Sequence, residues 1–461
     1  MKSIIIAAPV SGSGKTTVTI GLMECLKRRG LKVAPFKVGP DFIDPGYHRM
    51  VTGRPSLNLD GWMCSPQAVR EMFAEHSADA DIAVIEGVMG LFDGISGRSD
   101  EGSTAQIARL TGSIVFLVVD AKGFARSIAA LVKGFAEFDP EVRIGGVIFN
   151  NVSSENHARI LKEAVETAVP SIRVVGSILR DNRLQIPSRH LGLLTAEENE
   201  LSTEYLDHLV EVIRGSVDIG MLWAIAGAGD VFELPAYREP APSAVKIAVA
   251  RDRAFCFVYE SNLRLLRQAG AELVEFSPLA DSSLPDGISG IYLPGGYPEA
   301  HAAELSANIP MKEAIRVAIE SGMPVYAECG GFIYLTSGVA ENEEEGRSLK
   351  ELVGVFPVAT TMLKQRKALG YREIKLRSDS VLGKEGATAR GHEFHYSRID
   401  EMPEGIERLY QVSKGQSDLG TEGYRYKNCL ASYIHLHFGS NPDMAQAFVE
   451  SCLKFKQEQP I

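Results

Sequence analysis

Short apolar runs alternate with amphipathic stretches along the first half of the chain. Segments 4–8, 33–36, 82–86, 114–120, 144–150 and 174–178 are rich in valine and isoleucine, with little polar interruption. Between them, 17–29 and 127–138 repeat apolar positions at helical spacing. Strands that are apolar throughout are buried on both faces, and helices between them supply the crossovers a parallel sheet needs. The pattern predicts an α/β domain with a mostly parallel sheet. It breaks off at 232–244, where Pro235, Pro240 and Pro242 stand among charges, which reads as an interdomain linker. The rhythm then restarts, with 246–250, 290–294 and 324–327 as strands ahead of turns. The expected organisation is one domain over 1–231, the linker over 232–244, and a second α/β domain over 245–461, again with a mostly parallel sheet. The glutamate-rich stretch 340–348 reads as a solvated loop.

Composition refines this picture only at its edges. Of 461 residues, 45% are hydrophobic and 23% charged, as in an ordinary globular protein, and the length calls for two cores. A net charge of −11 disfavours a general grip on nucleic acid but leaves room for a local basic pocket. The six cysteines, at 25, 64, 256, 329, 429 and 452, lack paired or metal-ligand spacing, and five of them read as reduced core thiols. The first strand begins too close to Met1 for a signal peptide, and no apolar run reaches the roughly 18–20 residues that span a bilayer. The expectation is a cytoplasmic protein with no membrane partner.

The first strand runs into Ser11-Gly12-Ser13-Gly14-Lys15-Thr16-Thr17, and a helix follows. Glycines in such a turn let backbone N–H groups converge on phosphate, Lys15 can reach the terminal phosphates, and the Thr16 hydroxyl can ligate Mg²⁺. Pro9 stands where the strict P-loop pattern has its first glycine, but the strand-to-helix position is the one the mechanism requires. The reading is a P-loop NTPase fold in which Gly12, Ser13, Gly14, Lys15, Thr16 and Thr17 bind nucleotide. Ligands of open α/β sheets sit beyond the carboxyl ends of the strands, where Asp41, Asp44, Glu86 and Asp93 fall. Asp41 and Glu86 are the Mg²⁺ candidates, because Mg²⁺ usually takes one or two carboxylates plus phosphate and water. Asn150, ending a strand, either reads an adenine edge or serves as a capping asparagine.

Cys329 lies in Pro324-Val325-Tyr326-Ala327-Glu328-Cys329-Gly330-Gly331, where a strand is expected to turn sharply into a helix. A helix N-terminus there would lower the thiol pKa. Gly295 and Gly296, at another strand end, together with Gly330, offer peptide N–H groups for an oxyanion hole. His435 and His437 alternate along an expected strand, so both should point to one face and supply the base.

Together these strings resemble the cobyrinic acid a,c-diamide synthase family over essentially the whole chain. The supporting segments are 11–17, 37–45, 86–94, 186–192, 293–299, 327–331, 391–397 and 432–437. The N-terminal half is similar to dethiobiotin synthetase, and the C-terminal half resembles a class I glutamine amidotransferase with a flavodoxin-like α/β fold. The resemblance implies hydrolysis of L-glutamine at Cys329 with His435 as base. Ordinary class I amidotransferases place a glutamate two residues after that histidine. Here the position is His437, which implies a dyad or a displaced third member. The implied cofactors are ATP and Mg²⁺, and the implied substrate is cobyrinic acid or a related acidic tetrapyrrole. A carboxylate is a poor acceptor for ammonia, so phosphorylation to an acyl phosphate must come first, and the two active sites are expected to face each other. Asp44, Asp93, Tyr47 and His48 are candidates for substrate or intermediate, with a surface loop as the other reading of 47–62. A homodimer is a family expectation. The same framework also serves the a,c-diamide of nickel-sirohydrochlorin, and cobyrinate is favoured over it. Cobyric acid synthase fits the 189–192 and 391–397 strings less well. A regulatory P-loop ATPase fused to an inert module would be expected to lack Cys329 or His435, and both are present.

Overall fold

The computed structural model describes residues 1–186, 188–189, 192–193, 195–196, 198, 201–227, 243–341, 348–365 and 367–458. The chain divides into two compact units, Met1–Tyr237 and Arg238–Ile461. Most of the expected 232–244 linker, and much of the 186–192 and 340–348 segments, lie outside the described residues.

The first unit is built on seven strands: β1 (Lys2–Ala7), β2 (Val33–Val38), β3 (Leu57–Leu59), β4 (Ile82–Glu86), β5 (Ile114–Asp120), β6 (Ile144–Val152) and β7 (Arg173–Leu179). They form one sheet in the order β3-β2-β4-β1-β5-β6-β7, parallel throughout. The six apolar runs of the first half are therefore strands, and β3 joins them at the edge. The interior strands β2 and β4 are buried at every residue, as continuous apolar runs require. The helix Lys15–Arg28 packs on the helix Thr203–Ser216, and Gly21 lets the two approach: a Cβ there would lie 2.6 Å from Ile213. A small antiparallel pair, β8 (Ser188–Arg189) and β9 (Gly192–Leu193), follows β7.

The second unit opens with β10 (Val245–Ala250), β11 (Ala271–Phe276), β12 (Gly290–Leu293) and β13 (Val325–Glu328). After them come β14 (Thr336–Glu341), β15 (Ser348–Glu351), β16 (Phe356–Met362), β17 (Ala368–Leu376), β18 (Thr388–His395) and β19 (Ser397–Ile399). The last four are β20 (Glu407–Lys414), β21 (Ser417–Tyr426), β22 (Cys429–Ser432) and β23 (His435–Leu436). Ten of these make one sheet, β11-β10-β12-β13-β22-β21-β20-β17-β18-β23, and β15-β14-β16-β19 make a second. From β11 to β22 the pairs are parallel; from β22 to β23 they are antiparallel. The expectation of a mostly parallel sheet holds for the first unit and needs correcting here, where half of the sheet is antiparallel. The helix-free connections between its later strands are the physical reason: without a crossover, a strand can only turn back beside its predecessor.

Candidate active site

In the first unit β1 lies where chain order reverses across the sheet, the place at which open α/β sheets bind ligands. The loop after it ends in Gly14, whose φ of +91° caps the helix Lys15–Arg28; a Cβ there would strike the Asn150 carboxamide. That carboxamide donates to the Ser13 carbonyl at 3.0 Å, and Ser13 Oγ donates to the Val10 carbonyl at 2.9 Å. Asn150 thus braces the loop from β6 instead of capping a helix. It also lines a cleft of about 460 Å³ together with Gly12, Gly14, Thr17, Asp181 and Gln185. Lys15 Nζ donates to the Met89 carbonyl at 2.7 Å, and Met89 holds a left-handed φ of 45°, a strained backbone of the kind that clusters at functional sites.

Beneath the loop lies a buried charge network. Glu86, fully buried at the end of β4, accepts from Thr16 Oγ1 at 2.6 Å and Lys37 Nζ at 3.1 Å on one oxygen. His48 Nε2 stands 2.7 Å from the other oxygen, and His48 Nδ1 is 3.0 Å from Ser56 Oγ. Lys37 Nζ also donates to Asp44 at 2.5 Å and to the Gly87 carbonyl at 3.1 Å. Burial opposes the Glu86 carboxylate, but Lys37, His48 and Thr16 outweigh it and hold its pKa well below the usual carboxylate range. Burial likewise opposes the charge on Lys37, which Asp44, Glu86 and Asp41 nonetheless hold on. Asp44 is pushed up by burial and by Asp41 and Glu86, since one ammonium cannot balance three carboxylates. Lys15 is pushed down by burial and by Lys37.

The predicted acids come together unequally. Asp41 Oδ1 accepts from the backbone of Ile43 and Asp44 at 2.8 and 3.1 Å, at the start of the helix Ile43–Thr52, while Oδ2 lies 3.9 Å from Lys37 Nζ. Asp93 accepts from Gly90 N–H at 3.0 Å, in the turn after β4. Tyr47 and His48 do not present a macrocycle-binding surface or a surface loop: both are fully buried. Their helix buries Asp44, Tyr47, His48 and Val51, which share one face by helical spacing. Asn58 and Asp60, also buried, hold backbone in place, the first on the Gly39 and Asp41 carbonyls, the second on Trp62 and Met63 N–H. Lys37 was not singled out from the sequence, although a lysine inside an otherwise apolar strand was a legible signal. Thr16, Glu86 and Asp41 offer hard oxygen donors. Among the described residues no three His, Cys, Asp or Glu converge as a metal cluster.

In the second unit, Cys329 follows β13 with φ 44° and ψ −100°, a strained left-handed turn into the short helix Gly330–Leu335. Its N–H donates to the Ser432 carbonyl at 2.7 Å, and its thiol lies 3.9 Å from the Phe394 carbonyl on β18. Gly330 and Gly331 permit the turn: a Cβ at Gly330 would lie 2.8 Å from Gly296 N, and one at Gly331 would strike the Leu293 carbonyl. Gly295 lies against the His435 ring on one side and Gly330 on the other. Its own N–H already donates to the Phe257 carbonyl at 3.2 Å.

The expected lowering of the thiol pKa needs correcting. Burial, with Glu299 adding to it, pushes the Cys329 thiol up, and the Gly330 N–H offsets only part of this. The helix behind it is too short to compensate. His435 is pushed down to about 3 by burial, with His392 and His395 adding to it, so the imidazole is neutral at ordinary pH. His437 has partners of its own. It follows β23 as the cap of a short 3₁₀ turn, with Nδ1 accepting from Gly439 N–H at 3.1 Å and its ring against Tyr259. Glu328, which sequence reasoning passed over, stands directly ahead of the thiol. It accepts from Tyr292 and Tyr326 hydroxyls at 2.8 and 2.6 Å and from Leu436 N–H at 2.9 Å.

A P-loop unit joined to a unit with a strained cysteine elbow defines a class, a nucleotide-binding domain fused to a glutamine amidotransferase. Two family models agree: a CobQ/CobB/MinD/ParA nucleotide binding domain over residues 4–194, and a CobB/CobQ-like glutamine amidotransferase domain over 246–443. The chain is 44% identical to a cobyrinate a,c-diamide synthase of Priestia megaterium, over 99% of its own length and 98% of the relative's. It is 44% identical to one of Syntrophotalea carbinolica (97% and 98% covered) and 42% identical to one of Picrophilus torridus (98% and 99%). The chain belongs to the cobyrinate a,c-diamide synthase family, whose members are glutamine-dependent amidotransferase ligases.

Proposed function

We propose that this chain amidates the a and c acetate carboxylates of cobyrinic acid in two rounds of the same chemistry. In each round a carboxylate oxygen attacks the γ-phosphorus of ATP, releasing ADP and leaving an acyl phosphate. Ammonia then attacks the acyl carbon, and inorganic phosphate leaves as the amide forms. The ammonia comes from glutamine. The Cys329 sulfur attacks the side-chain carbonyl while His435 takes the thiol proton and returns it to the departing nitrogen. The oxyanion is met by Gly296 and Gly330 N–H, and water then cleaves the glutamyl thioester to glutamate.

In the phosphate site Gly12, Ser13 and Gly14 present backbone to phosphate, Lys15 exchanges the Met89 carbonyl for the terminal phosphates, and Thr17 and Asn150 line the cleft that suits the nucleoside. Mg²⁺ would be held by Thr16, Glu86 and Asp41 with phosphate oxygens, and would supply charge neutralisation there. Lys37 keeps Glu86 ionised, and Asp44 and Asp93 lie at the same strand ends for the substrate carboxylate. The observation that carries the reading is the presence in one chain of both a braced P-loop above Glu86 and a cysteine elbow with His435. The relatives' names support cobyrinate over nickel-sirohydrochlorin. A homodimer belongs to the same proposal, and light scattering tests it.

Purified protein given MgATP, glutamine and either macrocycle in parallel tests the substrate. Mass gain corresponding to two amidations on cobyrinic acid alone is expected. Amidation confined to nickel-sirohydrochlorin would replace the substrate, and ATP hydrolysis without amidation of either would overturn the ligase reading.

A further inference from the structure

We propose that Glu328 is the positioning residue of the thiol site: its carboxylate orients His435 from the nucleophile's own strand, in place of the glutamate whose position His437 occupies. The inference rests on the reading of Cys329 and His435 as the glutamine-hydrolysing pair.

Three observations carry it. First, Glu328 is fully buried, with three donors on its two oxygens. A buried carboxylate so held has one fixed position, so a neighbouring imidazole must adjust to it. Second, Oε2 lies 3.9 Å from His435 Nδ1. That is longer than a hydrogen bond, as catalytic contacts often are before substrate binds, and a small tilt of the ring closes it. Third, Oε1 accepts from Leu436 N–H at 2.9 Å, which ties the backbone next to His435 to the residue next to Cys329. One carboxylate therefore fixes both the strand that carries the base and the face that the base presents.

The chemical consequence is a tautomer. With Nδ1–H aimed at Glu328, the lone pair of His435 sits on Nε2, the nitrogen left to take the thiol proton. When the proton moves, the imidazolium is stabilised by the carboxylate behind it. His392, its partner in the β18–β23 pair, and His395 further along β18 act on His435, while Glu299 and Glu393 act on the neighbouring Cys329. His392 and His395 disfavour the imidazolium. Glu328, 3.9 Å from Nδ1, is the carboxylate placed to oppose them once it is ionised.

The test follows alkylation of Cys329 by a chloroketone analogue of glutamine as a function of pH, read by mass so that the other five cysteines do not interfere, alongside glutamine hydrolysis. Glu328→Gln keeps length and the acceptor for Leu436 but removes the charge. Expected are a fall of roughly 10- to 100-fold in kcat/KM, mostly in kcat, and an alkylation midpoint moved to higher pH. Tyr326→Phe deletes one hydroxyl that donates to Oε1, leaving Oε2 and its neighbours alone; it makes Glu328 harder to ionise and moves the midpoint the same way by less. It decides the question even if Glu328→Gln does not fold. Lost hydrolysis with an unmoved midpoint would reduce Glu328 to a structural tether, and an unmoved midpoint in both variants would likewise overturn the proposal. A wild-type chain that neither hydrolyses glutamine nor is alkylated at Cys329 would overturn the underlying reading as well.

Discussion

Replacing Lys37 with methionine keeps most of the side-chain volume and removes the ammonium that lies within 4 Å of Glu86, Asp44 and Asp41. Lys37 and Glu86 have side chains 4% and 0% exposed and lie 3.1 Å apart, so solvent cannot take over the lost partner. Removing one member of a buried pair costs about 3–5 kcal/mol, because the remaining charge is left uncompensated. With a urea dependence of about 2 kcal/mol per molar, the unfolding midpoint of the first unit should fall by roughly 2 M. Both tryptophans of the chain, Trp62 and Trp223, lie in this unit, so tryptophan fluorescence reports its unfolding in the intact protein. The effect should depend on pH with a defined sign. In the wild type the depressed pKa of Glu86 gives stability that is present above its unfolded value and lost as pH falls. Without Lys37, burial raises that pKa, and the stability that remains is lost as pH rises. The gap between the proteins should therefore widen from about pH 5 to pH 8. An unchanged midpoint at pH 8, or a gap that narrows with pH, would refute the argument that Lys37 compensates Glu86.

Gly295→Val would put side-chain atoms where the His435 ring lies, and it should lower glutamine hydrolysis at least roughly 100-fold with ammonia-dependent amidation retained; steady-state rates on both nitrogen sources check it. In the second unit Glu328 and Glu422 are pushed up to about 7 by burial. A raised folded pKa gives stability that is complete below the unfolded value of about 4.3 and lost as pH rises through 7, so this unit should gain about 1 kcal/mol per group between pH 8 and pH 6. Differential scanning calorimetry at the two pH values measures it.

The first unit was legible because its strands are apolar throughout, and burial on both faces leaves that mark on sequence. The later strands of the second unit carry no such mark. β21 reads Ser-Asp-Leu-Gly-Thr-Glu-Gly-Tyr-Arg-Tyr and is exposed over its first half, so neither an apolar run nor a clean alternation announces it. The P-loop and the cysteine elbow were visible because local backbone demands, glycine at Gly14 and at Gly330 and Gly331, are written in consecutive residues. Tyr47 and His48 carry polar groups suited to a ligand, yet the spacing of Asp44, Tyr47, His48 and Val51 marks a buried helical face. Lys37 and Glu328 share a signal that could have been used: a charge inside an apolar strand must be compensated by something. What compensates it is set by tertiary folding, as with Met89, whose carbonyl meets Lys15 across 74 residues of chain.

The most direct test of the central claim, that one chain couples glutamine hydrolysis to ATP-driven amidation, uses glutamine carrying heavy nitrogen in its side-chain amide. The wild type is given this glutamine with MgATP and cobyrinic acid in the presence of ordinary ammonia, and Cys329→Ala is treated in the same way. The account predicts heavy nitrogen at both new amides from the wild type, and two amides of ordinary nitrogen from the variant. Ordinary nitrogen in the wild-type product, or no product from the variant with ammonia supplied, would contradict it.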